Sequence, residues 1–238
     1  LVENSLDAEA SRVDVELEGG GRARVKVSDD GCGLDEDDVL LALERHATSK
    51  IDSADDLHRV ATLGFRGEAL PSIAAVSRFV LTSCADPERG GVRVTVDGGR
   101  ILAVEAVARA RGTTVEVREL FCNLPARRKF LHAPETELRH AQDVVWAAAL
   151  ARPDVGFSLR HGGRDLLEAP PAPDLGDRLR HLLGRRAPER LYRFSGRGPE
   201  VELEGLLAPG RGSGRPQLIL LVNGRPVRDR LLAGALRA

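Results

Sequence analysis

The 238-residue chain is 42% apolar and 30% charged, an ordinary balance for one large or two small folded domains, and no apolar run approaches the ~20 residues that a membrane span needs. Its net charge of −1 excludes a uniformly basic or acidic chain, yet residues 1–119 carry 15 Lys/Arg against 23 Asp/Glu while residues 120–238 carry 20 against 13. The basic half reads as a candidate nucleic-acid face, or as a trace of genome bias, because Lys occurs only at 26, 50 and 129 and the other cations are Arg.

Taken in chain order, Leu1–Ala10 reads as a helix with Leu1, Val2, Ser5, Leu6 and Ala10 near one face. Val13–Leu17 and Ala23–Val27 alternate and read as a hairpin turned by Gly19-Gly20-Gly21. Asp29–Gly33 is a loop, and Asp35–His46 a helix with acidic residues in its first turn. Thr48–Gly67 is polar and Gly-punctuated, a long loop with a helical piece near Asp55–Val60. Glu68–Ala75 follows as a helix, with Pro71 in its first turn. Arg78–Ser83, Gly91–Val96, Ile101–Ala106 and Thr113–Arg118 read as strands, Glu135–Leu150 as a long helix and Val155–Arg160 as another strand. Pro170–Pro173 reads as a boundary or stiff linker. Beyond it come a helix at Leu175–Leu183, strands at Val201–Leu207 and Gln217–Val222, and a Gly-rich loop at Pro209–Pro216. This alternation predicts an α+β fold with helices on one side of a sheet.

No basic or apolar leader opens the chain and no Met occurs in it, so it reads as a fragment of a longer cytoplasmic protein. Cys32, Cys84 and Cys122 are far apart and read as free thiols, and six scattered His give no His-x-x-x-His pair, so no zinc-type site is expected.

Four segments carry chemistry. In Glu3-Asn4-Ser5-Leu6-Asp7, Asn4 and Asp7 share a helix face, and a buried Asn can bind hydrated Mg2+ through its carbonyl oxygen. In Asp29-Asp30-Gly31-Cys32-Gly33, a carboxylate at a strand end can accept from the exocyclic amine of adenine, and the glycines let backbone approach a ligand. Arg45-His46-Ala47-Thr48-Ser49-Lys50 followed by Leu63-Gly64-Phe65-Arg66-Gly67-Glu68 offers hydroxyls, a Lys and a Gly-rich helix entry, the makings of a phosphate cradle that is neither a Walker A loop nor a dinucleotide fingerprint. Gly112-Thr113-Thr114 places hydroxyls at a strand start, where one can bond a base or a bridging water.

In this order and spacing the four segments resemble the GHKL ATPases, the class that includes gyrase B, histidine kinases and MutL. Leu1–Ala8, Asp30–Gly33, Arg45–Lys50, Gly64–Leu70 and above all Asn123–Leu131 (Asn-Leu-Pro-Ala-Arg-Arg-Lys-Phe-Leu) look like the MutL family, and Val222–Asp229 is similar to that family's second-domain motif. The resemblance implies a Bergerat-type α/β sandwich over residues 1–170, followed at 171–238 by part of a ribosomal protein S5 domain 2-like α/β domain. It implies ATP and Mg2+ as cofactors, with Asn4 on the metal, Asp29 on the adenine amine, Gly33 shaping that pocket and Thr114 or Thr113 assisting. Thr48, Ser49 and Lys50 would sit at the nucleotide lid, and Gly64, Phe65, Arg66 and Gly67 on the phosphates.

The family role so implied is ATP hydrolysis in DNA mismatch repair: nucleotide closes two N-terminal domains into a dimer and couples a MutS-type mismatch-recognition protein to strand incision, with no membrane partner. DNA would be held without sequence preference by Arg127, Arg128, Lys129, Arg225, Arg228 and Arg230, or else Arg127–Lys129 packs structurally against the nucleotide domain. Two departures bear on turnover. The family's general-base Glu, four residues before the Mg2+-binding Asn, would precede Leu1, and its phosphate-sensing Lys would follow Ala238, so the 238 residues are expected to bind Mg·ATP without hydrolysing it. Asp30 stands where the family commonly has Asn, outside the adenine role. Two other readings are a different GHKL protein, such as a topoisomerase subunit or chaperone, against which Asn123–Leu131 counts, and a DNA-binding module with purely structural glycine loops.

Overall fold

Strict alternation in the strands sorts one large sheet into a covered and an open face. The computed structural model describes residues 1–44, 69–184, 187–199, 201–207, 218–227 and 229–236. Strand β1 (Arg12–Glu18) turns through Gly19–Gly21 into β2 (Arg24–Asp29). Strands β3 (Arg78–Asp86), β4 (Gly90–Asp97) and β5 (Arg100–Val107) form a meander, β6 (Gly112–Arg118) inserts between β3 and β2, and β7 (Gly156–His161) and β8 (Arg164–Ala169) complete the far edge. The order is β5-β4-β3-β6-β2-β1-β7-β8, and every neighbouring pair is antiparallel except β1–β7.

The registers align one apolar row across the strands: Leu159 beside Val15, Val15 beside Val27, Val27 beside Val115, Val115 beside Leu81, Leu81 beside Val94. Helices α1 (Val2–Asp7) and α5 (Pro134–Ala151) cover one half of this face, with Val2, Leu6, Val145 and Ala149 against Val13, Val15, Phe157 and Leu159. Helices α2 (Glu36–Leu43) and α3 (Ala69–Ala74) cover the other half through Val39 and Ala74 against Phe79, Leu81 and Val94. The predicted one-sided α+β layering is what forms. The open face is ionic. Lys26 Nζ lies 2.9 Å from Glu16, and Arg24 lies 3.2 Å from Glu16 and 2.9 Å from Glu18.

Asp35 caps α2, accepting from the Asp38 amide at 2.9 Å, so the expected acidic helix start is present. Helix α1 is shorter than expected, because Glu9 takes φ +56° just after it. Residues 45 and 46, the last two of the second predicted helix, and the helical piece expected at 55–60 lie outside the described residues. Sequence patterning misses β8, the short helix α4 (Pro125–Arg128), β9 (Tyr192–Arg197), β12 (Arg225–Val227) and α7 (Arg230–Ala235). Strand β9 pairs with β10 (Glu202–Leu207), and β12 with β11 (Leu220–Val222), each as a two-stranded antiparallel unit.

The Pro170–Pro173 stretch is fastened to the sheet layer. Ala172 is buried, and its amide donates to Pro153 O at 2.7 Å. Just beyond, α6 (Leu175–Leu183) sends the fully buried Arg178 into the layer, where its guanidinium donates to Ala169 O at 2.8 Å, to Pro153 O at 2.7 Å and to Val155 O. Burial pulls the Arg178 pKa below the usual arginine value, opposed by Asp154. Removing this side chain takes its donors from three carbonyls, of which Pro153 O keeps the Ala172 amide, and leaves a void. Arg178→Ala is therefore expected to lower stability by roughly 3 kcal/mol or more. A urea titration would show it as a lower midpoint with unchanged slope. A shift no larger than that of the exposed Arg180→Ala would refute the role.

Candidate functional site

Asp29 ends β2 on the covered face, in line with Val25 and Val27, where a charge is costly unless its oxygens are satisfied. Three elements supply donors. From α1, the buried Ser5 hydroxyl donates to Oδ2 at 2.7 Å; from the loop after β2, the Gly31 amide donates to Oδ1 at 3.1 Å; from β6, the Thr113 amide donates to Oδ1 at 3.2 Å. An ionised carboxylate offers about four lone-pair sites. Among the described residues three are filled, which leaves one acceptor position on Oδ2 for an external donor.

The backbone around this carboxylate is packed closely enough to demand glycine at two points. Gly33 has φ +70°, and a Cβ there would lie 2.0 Å from Cys84 O. Gly112 has φ +123°, and its Cβ would lie 2.1 Å from Asp29 O. Strand ends and loop are tied by Ser83, whose Oγ lies 2.8 Å from Thr113 Oγ1, donates to Gly112 O at 3.2 Å and accepts from the Leu34 amide at 2.8 Å. Arg111 Nε donates to Cys32 O at 3.2 Å, and Arg109 donates to Ala110 O at 3.1 Å and to Thr82 O. Burial lowers the Arg109 pKa, against the attraction of Asp29 and Cys84.

Of the sequence-predicted residues, Asp29, Gly33 and Thr113 come together. Thr114 does not join them. It sits on the open face, donating to Ser28 Oγ at 3.1 Å, because Val115 next to it is buried on the covered face and alternation sends Thr114 the other way. Asn4 is half-buried on α1 beside Ser5, and its side-chain amide makes no hydrogen bond among the described residues, which leaves its carbonyl oxygen available to a hard cation. Thr48, Ser49, Lys50, Gly64, Phe65, Arg66, Gly67 and Arg228 lie outside the described residues. Arg127, Arg128 and Lys129 are exposed on and just after α4 and take part in no ion pair among the described residues, and Arg230 is exposed at the start of α7. Arg225 is half-buried, with Nη2 withdrawn from solvent and without a hydrogen-bond partner among the described residues.

Sequence patterning passes over Ser5, Ser83, Arg109 and Arg111. Ser5 has a signal, a hydroxyl inside an apolar helical stripe; the others are placed only by long-range pairing. His132, Glu137 and His140 also meet at the start of α5, at a spacing that His-x-x-x-His does not describe. A cavity of about 1150 Å3 lies apart from Asp29, lined largely by aliphatic residues such as Leu1, Leu6, Val145 and Leu220. Hydrogen-bond donors from three elements and two close glycine approaches converge on Asp29, so the candidate nucleotide site is placed at Asp29.

A family model for histidine kinase-, DNA gyrase B- and HSP90-like ATPases matches residues 1–101. The DNA mismatch repair protein MutL of Anaeromyxobacter sp. (strain K) is 53% identical over 238 residues, covering 99% of this chain and 39% of its own length. That of Xanthomonas oryzae pv. oryzae (strain PXO99A) is 50% identical over 240 residues, covering 100% and 38%. The chain thus spans about two fifths of the length of these curated relatives. Among solved structures, the Aquifex aeolicus MutL ATPase domain complexed with ADP superposes with a TM-score of 0.75 at 30% identity, over 99% of this chain and 83% of that one. The ATPase domain of the same bacterium's mismatch repair endonuclease MutL gives 0.71 at 28% identity, over 99% and 79%.

Beside the site, Asp30 ties the loop to the start of β1, accepting from the amides of Ser11 and Arg12 at 2.8 Å each and from the Ser11 hydroxyl. Burial pushes its carboxyl up, but those donations outweigh it and hold the group below its usual range. A carboxyl depressed in the folded state stabilises above the unfolded pKa of about 3.9, and that contribution fades as pH falls through the lower folded value. Asp30→Asn keeps an acceptor without the charge. It is expected to cost ~1 kcal/mol or less at pH 7, with the gap to the parent closing below about pH 4. Urea midpoints at a series of pH values test this, and a gap that widened on acidification would reverse the sign.

Proposed function

The chain belongs to the MutL family and has the fold of its ATPase domain, and from that premise we propose that residues 1–238 bind Mg·ATP and form the nucleotide-responsive part of a mismatch-repair protein. The observation that carries the reading is the acceptor position on Asp29 that the described residues leave open, at a strand end surrounded by glycine backbone. It suits the exocyclic amine of adenine and repels the carbonyl that guanine presents there. Asn4 is proposed to hold Mg2+, whose charge would offset that of the phosphates, and the segments at 48–50 and 64–67 to hold the phosphates. Thr113 rather than Thr114 is proposed to assist at the base.

The proposed protein is an ATPase whose nucleotide state closes two copies through this region, in the cytoplasm and near DNA, in company with a MutS-type mismatch-recognition protein. The proposed division keeps residues 1–170 as the nucleotide domain and 171–238 as the transducer domain, with α6 as the bridge fastened by Arg178. A DNA-binding module with structural glycine loops would leave nucleotide unbound, which makes calorimetry the deciding measurement. ATP is expected to bind with clear preference over GTP. Asp29→Ala should lose roughly 10- to 150-fold in affinity, the worth of a hydrogen bond to a charged group. Asp29→Asn should lose about as much, because its amide competes as a donor. Equal binding of ATP and GTP, or unchanged affinity in both variants, would defeat the proposal.

DNA binding is proposed to run through phosphates alone. Arg127, Arg128 and Lys129 are exposed and unpaired among the described residues, as is Arg230, while aromatic residues are only 3% of the chain, too few for a base-stacking platform. Affinity for duplex should fall with salt at a log–log slope of about −0.9 per phosphate neutralised. Replacing Arg127, Arg128 and Lys129 by Ala should flatten the slope by up to roughly 0.9 per cation removed, equally on unrelated sequences. A slope unchanged by the triple substitution would favour the structural-packing alternative for this segment.

A further inference from the structure

Outside the nucleotide site, three metal-ligating side chains converge where the chain enters α5. His132 Nδ1 lies 2.9 Å from Glu137 Oε1, and His140 Nδ1 lies 3.7 Å from Glu137 Oε2. The two imidazoles stand edge to face at 5.6 Å, and one ligand atom from each residue falls within 4.8 Å of the other two. Around a tetrahedral Zn2+ with bonds of about 2.0–2.2 Å, ligand atoms lie roughly 3.3 Å apart, so small turns of these side chains bring all three onto one ion. We propose that His132, Glu137 and His140 form a surface site for a borderline divalent transition ion such as Zn2+.

The carboxylate is fixed in place before any ion arrives. The His132 amide donates to Glu137 Oε1 at 2.8 Å, so Glu137 is oriented by backbone as well as by its own rotamer. That donation, joined by the His132 ring and opposed slightly by burial, keeps the Glu137 carboxyl below its usual range and therefore anionic at neutral pH. Glu137 and His140 are three apart on one helix face, and His132 reaches back across Pro134 from the preceding loop. The nearby cation Arg22 donates to the His132 carbonyl at 3.5 Å, on the backbone side. His132 and His140 keep 63% and 50% of their side-chain surface exposed, so the remaining coordination positions face water. Two imidazoles and one carboxylate favour Cu2+, Ni2+ and Zn2+ over Mg2+, which takes oxygen ligands. The site is thereby distinct in chemistry from the one proposed at Asn4. An ion there would tie the loop that follows Lys129 to α5 and so steady the cationic segment on and after α4.

The test uses the 238-residue chain free of affinity-tag histidines. Zn2+ titrated by calorimetry, and Co2+ followed by its visible spectrum, should each bind one to one and persist in excess Mg2+. His132→Ala and His140→Ala should each weaken binding by at least about tenfold. Glu137→Gln retains an acceptor for the His132 amide, so it should weaken the ion with little loss of folding, checked by circular dichroism. Hydrogen exchange at 129–133 should slow with Zn2+ in the parent and not in His140→Ala. Absence of saturable binding would show that a proton alone bridges His132 and Glu137 and would overturn the site. So would binding that survives both His substitutions, or that disappears when the exposed thiol of Cys32 is blocked.

Discussion

A carboxylate on the covered face of the sheet is the constraint around which the site is built. Asp29 continues the row of Val25 and Val27, and an unpaired charge at the end of an apolar row would cost several kcal/mol. The fold meets this by drawing α1, the loop after β2 and the start of β6 onto one side chain, through Ser5, Gly31 and Thr113. Those same donors fix the carboxylate's direction, and the tight approaches of Gly33 to Cys84 and of Gly112 to Asp29 lock the backbone behind it. Satisfying the charge and aiming it are therefore one arrangement, and the acceptor position left over is defined by what the fold has already used.

Most of the sheet is legible in the sequence because its strands repeat with period two and have one wet face. The positions Val13, Val15, Leu17 and Val115, Val117 all bury as alternation requires. Strand β8 is not legible: at the edge of the sheet it buries only Leu167 and Ala169, too few to show a period. Helix α4 is four residues behind a Pro and cannot be told from a turn. At the site, Asp29 and Gly33 are readable as a strand end and a glycine loop. Thr113 and Thr114 offer the same hydroxyl, and counting back in twos from the buried Val115 and Val117 puts Thr113 on the covered face with Asp29. Ser83, Arg109 and the meeting of His132 with α5 depend on contacts between distant segments, which no local pattern encodes.

The junction after β8 shows how a proline-rich stretch can be structural. Prolines at 170, 171 and 173 suggest a spacer, yet the only amide in that run, from Ala172, is used against Pro153 O. A few residues on, Arg178 collects three carbonyls left at the ends of β8 and of the α5–β7 connection. Backbone acceptors buried without partners are costly, and one long cationic side chain satisfies them from a neighbouring helix. The consequence is mechanical: α6 cannot leave the sheet layer without withdrawing its donors from those carbonyls.

The uneven charge of the two halves resolves into different uses. In the first half, Glu16, Glu18 and Glu116 are answered by Arg24 and Lys26 across the strands of the open face, so much of the acid is neutralised in place. Glu36, Asp37 and Asp38 sit in the first turn of α2, where the helix dipole favours them. The cations of Arg127, Arg128 and Lys129 have no such local use among the described residues. An exposed guanidinium without a carboxylate partner keeps its donors for a phosphate and gives up no ion pair on binding it. Genome bias accounts for Arg standing in place of Lys, but it does not sort paired from unpaired cations along the chain. The pairing pattern, more than the net charge, is what supports the phosphate-binding role proposed for α4.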